Sequence, residues 1–522
     1  MSKVLGQWIS ASMLILAFTG TASAQMYEVY DSELNLIQRI NDDHIFLLSE
    51  SIRVSDKDAR LQLLGNNYKP FLELEGEAIY QYLSPWILVE QDGKLGAYHE
   101  YGEQIFKPEY DAIDMRYNEL LANKGNAYHL YDVGTKIHSF LGQYEAAHIA
   151  SNGQVIAKIP AGYLLPISED PNHLYLDLQS TSPKAILAQE AEGYGLINRH
   201  GQYILEPVLD SLRHLEGEFY FGYNENQYML IEAREETAEI RYSSYHKITE
   251  KEGLILEYIH GRLRRVMEKD GILLDMMGMQ QVVKVDPTHY NVYFKDRKVG
   301  LLDHSGNWQV SPSDSIEVIY AGNENRYAAT TGQQYGYVDK GGKWIIKAQF
   351  QEASPFSEGL AAIRNNSGWG YIDLYGKSII FPEFESAGQF QRGLAVIRSS
   401  GKANLIDPQG RKLLAEGYDD IFRSDDSYFI TENNGLFGIL DPLGNEITPP
   451  IFQSLRRESF NQIVVQRNDR YGIMDEQGEV ILPIYYLDIL VDKEARKILA
   501  EDLYTPPISE EDGKGKKKKK TK

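Results

Sequence analysis

The 522-residue chain contains no cysteine. That excludes disulfides, Cys-ligated zinc, iron–sulfur clusters, a cysteine nucleophile and a lipid-modified N-terminal cysteine. Positive charge is also scarce. Lys plus Arg number 53 against 75 Asp plus Glu, a formal net charge of −22. A folded body of this sign repels phosphates, so nucleic acid is not an expected partner of the body. Helical periodicity of any length is missing. Beyond the first 25 residues, no stretch reaches the about 18 consecutive apolar residues that a membrane-spanning helix needs, so the mature chain is expected to have no transmembrane segment. Chemical motifs are missing as well: there is no H-E-x-x-H, no G-x-S-x-G elbow, no P-loop and no dinucleotide fingerprint. The 12 histidines are scattered. No catalytic residue, metal site or cofactor is expected, and the chain is read as a non-enzyme. What is present is a foldable composition, 43% hydrophobic and 25% charged, with 36 Tyr against 18 Phe and 5 Trp.

The two ends stand apart from the rest. Lys3, the apolar stretch from Ile9 to Phe18 and the small-x-small site Ala22-Ser23-Ala24 read as an export signal over residues 1–24. The expected location is the periplasm or the extracellular cell surface. Residues 506–522 read as a disordered Lys-rich tail, with seven lysines between Lys514 and Lys522 directly after Glu510, Glu511 and Asp512. Setting aside Lys3 and those seven lysines leaves 45 basic against 75 acidic residues, a charge of −30. Such a body should attract basic partners.

Between the ends the chain repeats itself. "YGYVDKGGKWIIKAQF", "WGYIDLYGKSIIFPEF", "ANLIDPQGRKLLAEGY", "FGILDPLGNEITPPIF" and "YGIMDEQGEVILPIYY" carry their second residues at Gly336, Gly370, Asn404, Gly438 and Gly472, a constant spacing of 34. Further copies lie at Gly300, Gly195 and Gly96, and weaker ones fill the gaps, for roughly 11 to 13 units by the logic of tandem arrays. Regularity divides the repeat region into an irregular part, 25–290, and a regular part, 291–505. Within a unit, "WGYID" and "KSIIF" are rich in strand-forming residues. The Asp-x-x-Gly between them describes a tight hairpin. Its carboxylate accepts from the turn backbone, and its glycine takes a left-handed conformation. The structural turn residues are Asp303, Asp339, Asp373, Asp407, Asp441 and Asp475, with Gly342, Gly376, Gly410, Gly444 and Gly478. A proline after the second strand is expected to stop its pairing, and the aromatic two residues later to plug a core. "LAAIR" and "LAVIR" make a third strand.

These residues resemble the WG-repeat proteins of bacteria. "WGYIDLYGKSIIFPEF" with "FQRGLAVI" matches the family pattern at nearly every position, and the likeness covers roughly 90 to 490. The resemblance brings no catalytic residues with it, because such repeats occur in proteins of many roles. Asn404 in place of the first glycine, and Asn198 and His99 in place of the turn aspartate, imply irregular geometry.

The expected fold is all-β, a tandem of about 34-residue repeats of three short antiparallel strands stacked into an elongated or curved array. The alternative is one or two β-propellers. The recurring aspartates could be imagined as a calcium ladder, but they come one per repeat without the clustered oxygens that calcium requires. The aromatics that open the repeats, Tyr335, Trp369, Phe437 and Tyr471, are the candidate binding residues. The same spacing also suits core packing. The expected function is an exported, non-enzymatic scaffold for protein–protein or cell-surface interactions. Its partner would be an envelope or cell-surface protein, possibly a basic one. A glycan-binding module is the alternative, and a hydrolase with its site in the irregular stretch 130–295 is the third reading.

Overall fold

A computed structural model describes residues 25–503 apart from 43, 58–59, 117, 270 and 425–427. The expected export signal (1–24) and Lys-rich tail (506–522) lie outside the described residues. No helix forms among the described residues, and none is long and apolar enough to cross a membrane. The strands assemble into fourteen small antiparallel sheets, twelve of four strands and two of three.

The sheet built from "FSEGLAAIR" and "WGYIDLYGKSIIFPEF" shows how the sequence produces this. Its strands are Glu352–Ala353, Leu360–Asn365, Gly368–Asp373 and Ser378–Phe384, paired in that order. This corrects the expected three-stranded unit. The first strand is two residues long, too short to leave a pattern in the sequence, and flanking bonds from Gln351 N–H to Arg364 O (2.9 Å) and Ser354 N–H to Ala362 O (2.9 Å) extend its pairing. The phase also differs. "LAAIR" pairs with the "WGYID" that follows it, Ala362 opposite Tyr371 and Ile363 opposite Gly370. The sheet therefore begins just after the aromatic plug Phe350 and ends at the next plug, Phe384. Four-stranded meanders of this kind are propeller blades. The alternative architecture, not the elongated three-stranded array, is the one whose building block is formed.

The inner strands are buried on both faces, which explains why they read as continuous apolar runs. Successive side chains point to opposite faces of a strand. Ile372 accordingly joins a core with Tyr337, Ile346, Phe356 and Ile363, while its neighbour Tyr371 joins the next core with Phe384, Phe390 and Ile397. This sheet is thus glued to the sheet before it and the sheet after it. Phe356 and Phe390 are completely buried, each worth about 1.5–3 kcal/mol relative to exposure. They meet Tyr337 and Tyr371 at steep interplanar angles of 61° and 59°, with centroids 4.8 Å apart in both pairs. Each tyrosine hydroxyl donates to a backbone carbonyl, Ser354 O or Gly388 O, at 2.7 Å. Burial raises both phenol pKa values.

The outer strand explains the first glycine of the repeat. Ser378–Phe384 does not stop pairing at Pro382. It bulges there and resumes, with Trp369 opposite Phe384 and Tyr371 opposite Ile380. Proline is tolerated because this is the edge strand and the ladder is already interrupted. The bulged backbone passes so close to Gly370 that a Cβ there would lie 2.5 Å from Pro382 N and 2.6 Å from Ile380 O. Where Asn404 replaces the glycine, no fourth strand forms, and the sheet has only Ser386–Ala387, Ala395–Ser399 and Lys402–Ile406. The backbone still bridges between Ala403 and Tyr418 and between Leu405 and Leu413, and the Asn404 amide adds to this pairing. Its Nδ2 donates to Leu414 O at 2.9 Å, and its Oδ1 accepts from Leu414 N–H at 3.2 Å.

The chain separates into two compact units. Among the described residues, one comprises 25–125, 135–137 and 451–503, and the other 126–134 and 138–450. The first unit holds the first and last of the described strands. Strand Gln25–Asp31 lies between Leu36–Asp42 and Lys497–Leu503, in a sheet completed by Asp488–Asp492. It pairs with the last strand from Gln25 opposite Leu503 to Asp31 opposite Lys497.

Candidate functional site

The turn aspartates are occupied within their own hairpins. Asp373 Oδ1 accepts from the backbone N–H of Tyr375 and of Lys377, both at 2.9 Å, and Gly376 adopts φ +86°. Asp407 and Asp475 accept in the same way from Gln409 and Arg411, and from Gln477 and Glu479. Asp441 does so from Leu443 and Asn445, Asp303 from Ser305 and Asn307, and Asp339 from Lys343. Gly342, Gly410, Gly444 and Gly478 have φ between +76° and +89°. Asn198 performs the same task, with its Oδ1 accepting from His200 (2.9 Å) and Gln202 (3.0 Å). Among the described residues no group of three His, Asp or Glu side chains is placed to hold a metal ion.

The repeat-opening aromatics Tyr335, Trp369, Phe437 and Tyr471 are half-buried and lie on four different sheets. Tyr335, Trp369 and Tyr471 each pack against the core at the face of their own sheet. Tyr335 also stacks on Tyr320, with centroids 5.9 Å apart. The structure does not bring the four together.

What it does bring together lies in the unit that holds the first and last of the described strands. Arg53 begins strand Arg53–Lys57 of the sheet that follows the closing sheet. Its guanidinium is 1% exposed and forks onto the equally buried carboxylate of Asp492, 439 residues away. Nε donates to Asp492 Oδ2 and Nη2 to Oδ1 at 2.9 Å. Nη1 donates to Ser51 O (3.0 Å) and to Asn66 Oδ1 (2.9 Å). Asp492 also accepts from the Tyr68 hydroxyl and from Ala495 N–H (2.9 Å). Burial alone would raise the Asp492 pKa, but the hydrogen bonds from Arg53 and Tyr68 outweigh it and hold the carboxyl below its ordinary value. Burial and the Asp492 charge push the Tyr68 phenol up. A bidentate, fully bonded pair of this kind keeps its geometry where an exposed pair would not.

Above this pair is a cavity of about 440 Å³, with Arg53 and Asn66 among its lining residues. Two exposed rings stand in its walls: Phe71, 57% exposed, on the outer strand Pro70–Glu73, and Tyr101, 80% exposed, in the hairpin turn of the next sheet. Gly102 of that turn rests against Phe71 and Leu72, which sets the turn beside the strand. Two carboxylates complete the lining. Glu494 is half-exposed and 3.9 Å from Arg53 Nη2, and Glu100 Oε2 accepts from Tyr82 and Ser84, both at 3.0 Å.

Sequence reasoning missed all of these residues. Arg53 and Asp492 sit outside the regular motif and meet only because the first strand pairs with the last. Tyr101 did leave a trace, since it precedes the turn glycine just as the exposed Tyr375 does in a regular repeat.

The irregular stretch 130–295 holds at least two polar clusters, one around the buried Glu257, which accepts from Ser244 and Arg265, and one around Glu190. Glu190 Oε1 accepts from the Tyr203 hydroxyl and lies 2.7 Å from His173 Nε2, whose ring is 4.5 Å from that of Tyr175.

Consecutive small antiparallel sheets, most of them four-stranded and the regular ones closed by an Asp-x-x-Gly hairpin and an aromatic plug, define a propeller-like class of tandem-repeat protein. Three stretches, residues 194–222, 335–368 and 369–402, match the family model of the WG containing repeat. The chain is a WG-repeat protein. No curated protein matches it in sequence. Among solved structures it is similar to the extracellular domain of a one-component system of B. thetaiotaomicron, at 10% identity, covering 94% of this chain and 83% of that one with a TM-score of 0.21. A hybrid two-component system of the same organism gives 12% identity, 88% and 80% coverage and a TM-score of 0.24 for its extracellular domain. PorZ, a surface component of the type-IX secretion system of Porphyromonas gingivalis, gives 10% identity, 90% and 87% coverage and a TM-score of 0.22.

Proposed function

We propose that this WG-repeat protein is an exported, non-enzymatic scaffold that engages an envelope or cell-surface protein. The observation that carries the reading is the cavity beside the chain closure, where the rings of Phe71 and Tyr101 stand exposed over a rigid, fully hydrogen-bonded floor. Exposed, conformationally simple aromatics on a fixed support are the anchors from which binding surfaces draw most of their energy. The support for export is the composition of residues 1–24. The glycan reading draws on the same two rings, which offer flat faces for stacking.

The test is a pull-down from envelope extract with the wild-type chain and with Phe71→Ala/Tyr101→Ala, at low and high salt. A partner held by the wild type and lost by the variant supports the reading. Salt-weakened capture adds electrostatic recruitment by the acidic body. Capture that is unchanged in the variant removes the cavity from the interaction. A glycan array probed with the same two proteins decides the second reading.

A further inference from the structure

We infer that the cavity between Phe71 and Tyr101 receives the side chain of a lysine or arginine presented by the partner protein; this rests on the reading of that cavity as the interaction site. The first argument is the tally of charge. Arg53 is cancelled by Asp492, which it meets through two parallel bonds away from solvent. The ammonium of Lys497 is committed elsewhere, to Asn66 O at 2.6 Å and over the Tyr68 ring at 5.3 Å. Glu494 and Glu100 remain, both lining the space. Over the five ionised groups the sum is one negative charge, on the side that faces solvent.

The second argument is the walls. An aromatic ring presents a negative face, and a cation held between ring faces and carboxylates is attracted by both. The aliphatic stem of lysine or arginine also covers apolar surface while its head seeks charge. Space of about 440 Å³ is large enough to admit such a side chain. Phe71 lies on the edge strand of its sheet, so an extended segment of a partner has a place to lie beside the opening. The third argument is the whole molecule. A repeat region, 25–505, with 45 basic against 72 acidic residues steers positively charged partners toward it.

The experiment measures binding of the full chain to a fluorescent decapeptide with two central lysines in a Ser/Gly background. A matched norleucine peptide and the free polyamine spermidine serve as controls. The inference expects the lysine peptide to bind, the norleucine peptide to bind about tenfold more weakly or worse, and Glu494→Gln and Tyr101→Ala each to weaken the lysine peptide several-fold. Because both substituted side chains are exposed, thermal midpoints should match the wild type. Equal binding of the two peptides, or lysine-peptide affinity unchanged in Glu494→Gln, overturns the inference. So does spermidine displacing the peptide at equal concentration, since the site would then read charge without its protein context. If the partner of the pull-down is lost with Phe71→Ala/Tyr101→Ala but kept with Glu494→Gln, the cavity stands as the interaction site and only the cationic ligand fails.

Discussion

The sheet Glu352–Phe384 and the closing sheet made from Gln25–Asp42 and Asp488–Leu503 hold themselves together by different means. In the first, every device is local. Asp373 reaches two and four residues ahead, Gly376 turns the chain, and Gly370 admits the bulged strand ten to twelve residues on. In the closing sheet no hairpin can join the central pair, so side chains perform the work of connection. Glu28 accepts from Tyr30 (2.7 Å) and from Tyr486 (2.9 Å), which is 458 residues away, and pairs with Arg39 at 2.8 Å. Arg53 grips Asp492. The difference teaches that side chains can take over where the chain cannot supply a turn. A backbone ladder of seven residue pairs closes the unit, but the loop-closure entropy for its ends is large. Interactions of fixed geometry specify one register for that ladder.

Arg53→Ala should break the comparison hardest. It strands Asp492 in a buried site, a loss of about 3–5 kcal/mol. Hydrogen exchange is expected to accelerate in Gln25–Asp31 and Lys497–Leu503 while Leu360–Asn365 stays protected. Arg53→Met/Asp492→Leu should recover most of the loss, because packed apolar residues remove the desolvation cost. Equal acceleration in both sheets would sink the idea that the latch is particular to the closure.

Acid should act on the same latch. The native pKa of Asp492 lies below the ordinary 3.8, so its stabilisation is fully present above that pH and is lost as the pH falls through the native value. A denaturation series from pH 7 to pH 2 is expected to show the closing sheet of the wild type weakening below pH 3.8. Asp492→Asn, already weakened at pH 7, should show a flatter dependence. Three turn aspartates, Asp303, Asp407 and Asp441, are also held low: partial burial opposes this but is outweighed by donors of their own turns. The regular repeats should therefore soften in acid too, though each exposed turn contributes less.

Gly370→Ala should have the smallest and most local effect. The methyl meets backbone rather than a movable side chain, for a cost of about 1–3 kcal/mol. Exchange is expected to rise in Ser378–Phe384 alone, leaving Gln25–Asp31 as in the wild type.

The repeats were legible because their determinants are local. The hairpin needs an acceptor, two free positions and a residue at home with positive φ, and all four lie within "DLYG". The inner strands announced themselves as apolar runs. The two-residue first strand Glu352–Ala353 had no pattern to show. The grouping of "LAAIR" with the following "WGYID" depends on which hairpin closes, and both neighbours of "LAAIR" look alike in sequence. Pro382 suggested an end to pairing because a bulge is invisible until its partner strand is seen. Trp369, Tyr335, Phe437 and Tyr471 drew attention by spacing, yet a residue that recurs once per blade is dispersed over the blades by that very recurrence.

The amino-acid sequence by itself determined the class of this protein: all-β, built from copies of one 34-residue WG unit, acidic, and free of cysteine. Those properties follow from composition, from side-chain period and from turn chemistry, each decided within a few residues. Only the tertiary structure decided that most of the sheets have four strands and that the first and last of the described strands pair. Only it set Arg53 on Asp492, and Phe71 beside Tyr101 over a common cavity. Contacts between residues 30 to 439 positions apart are selected by which faces must be buried together, and that is a property of the folded chain as a whole.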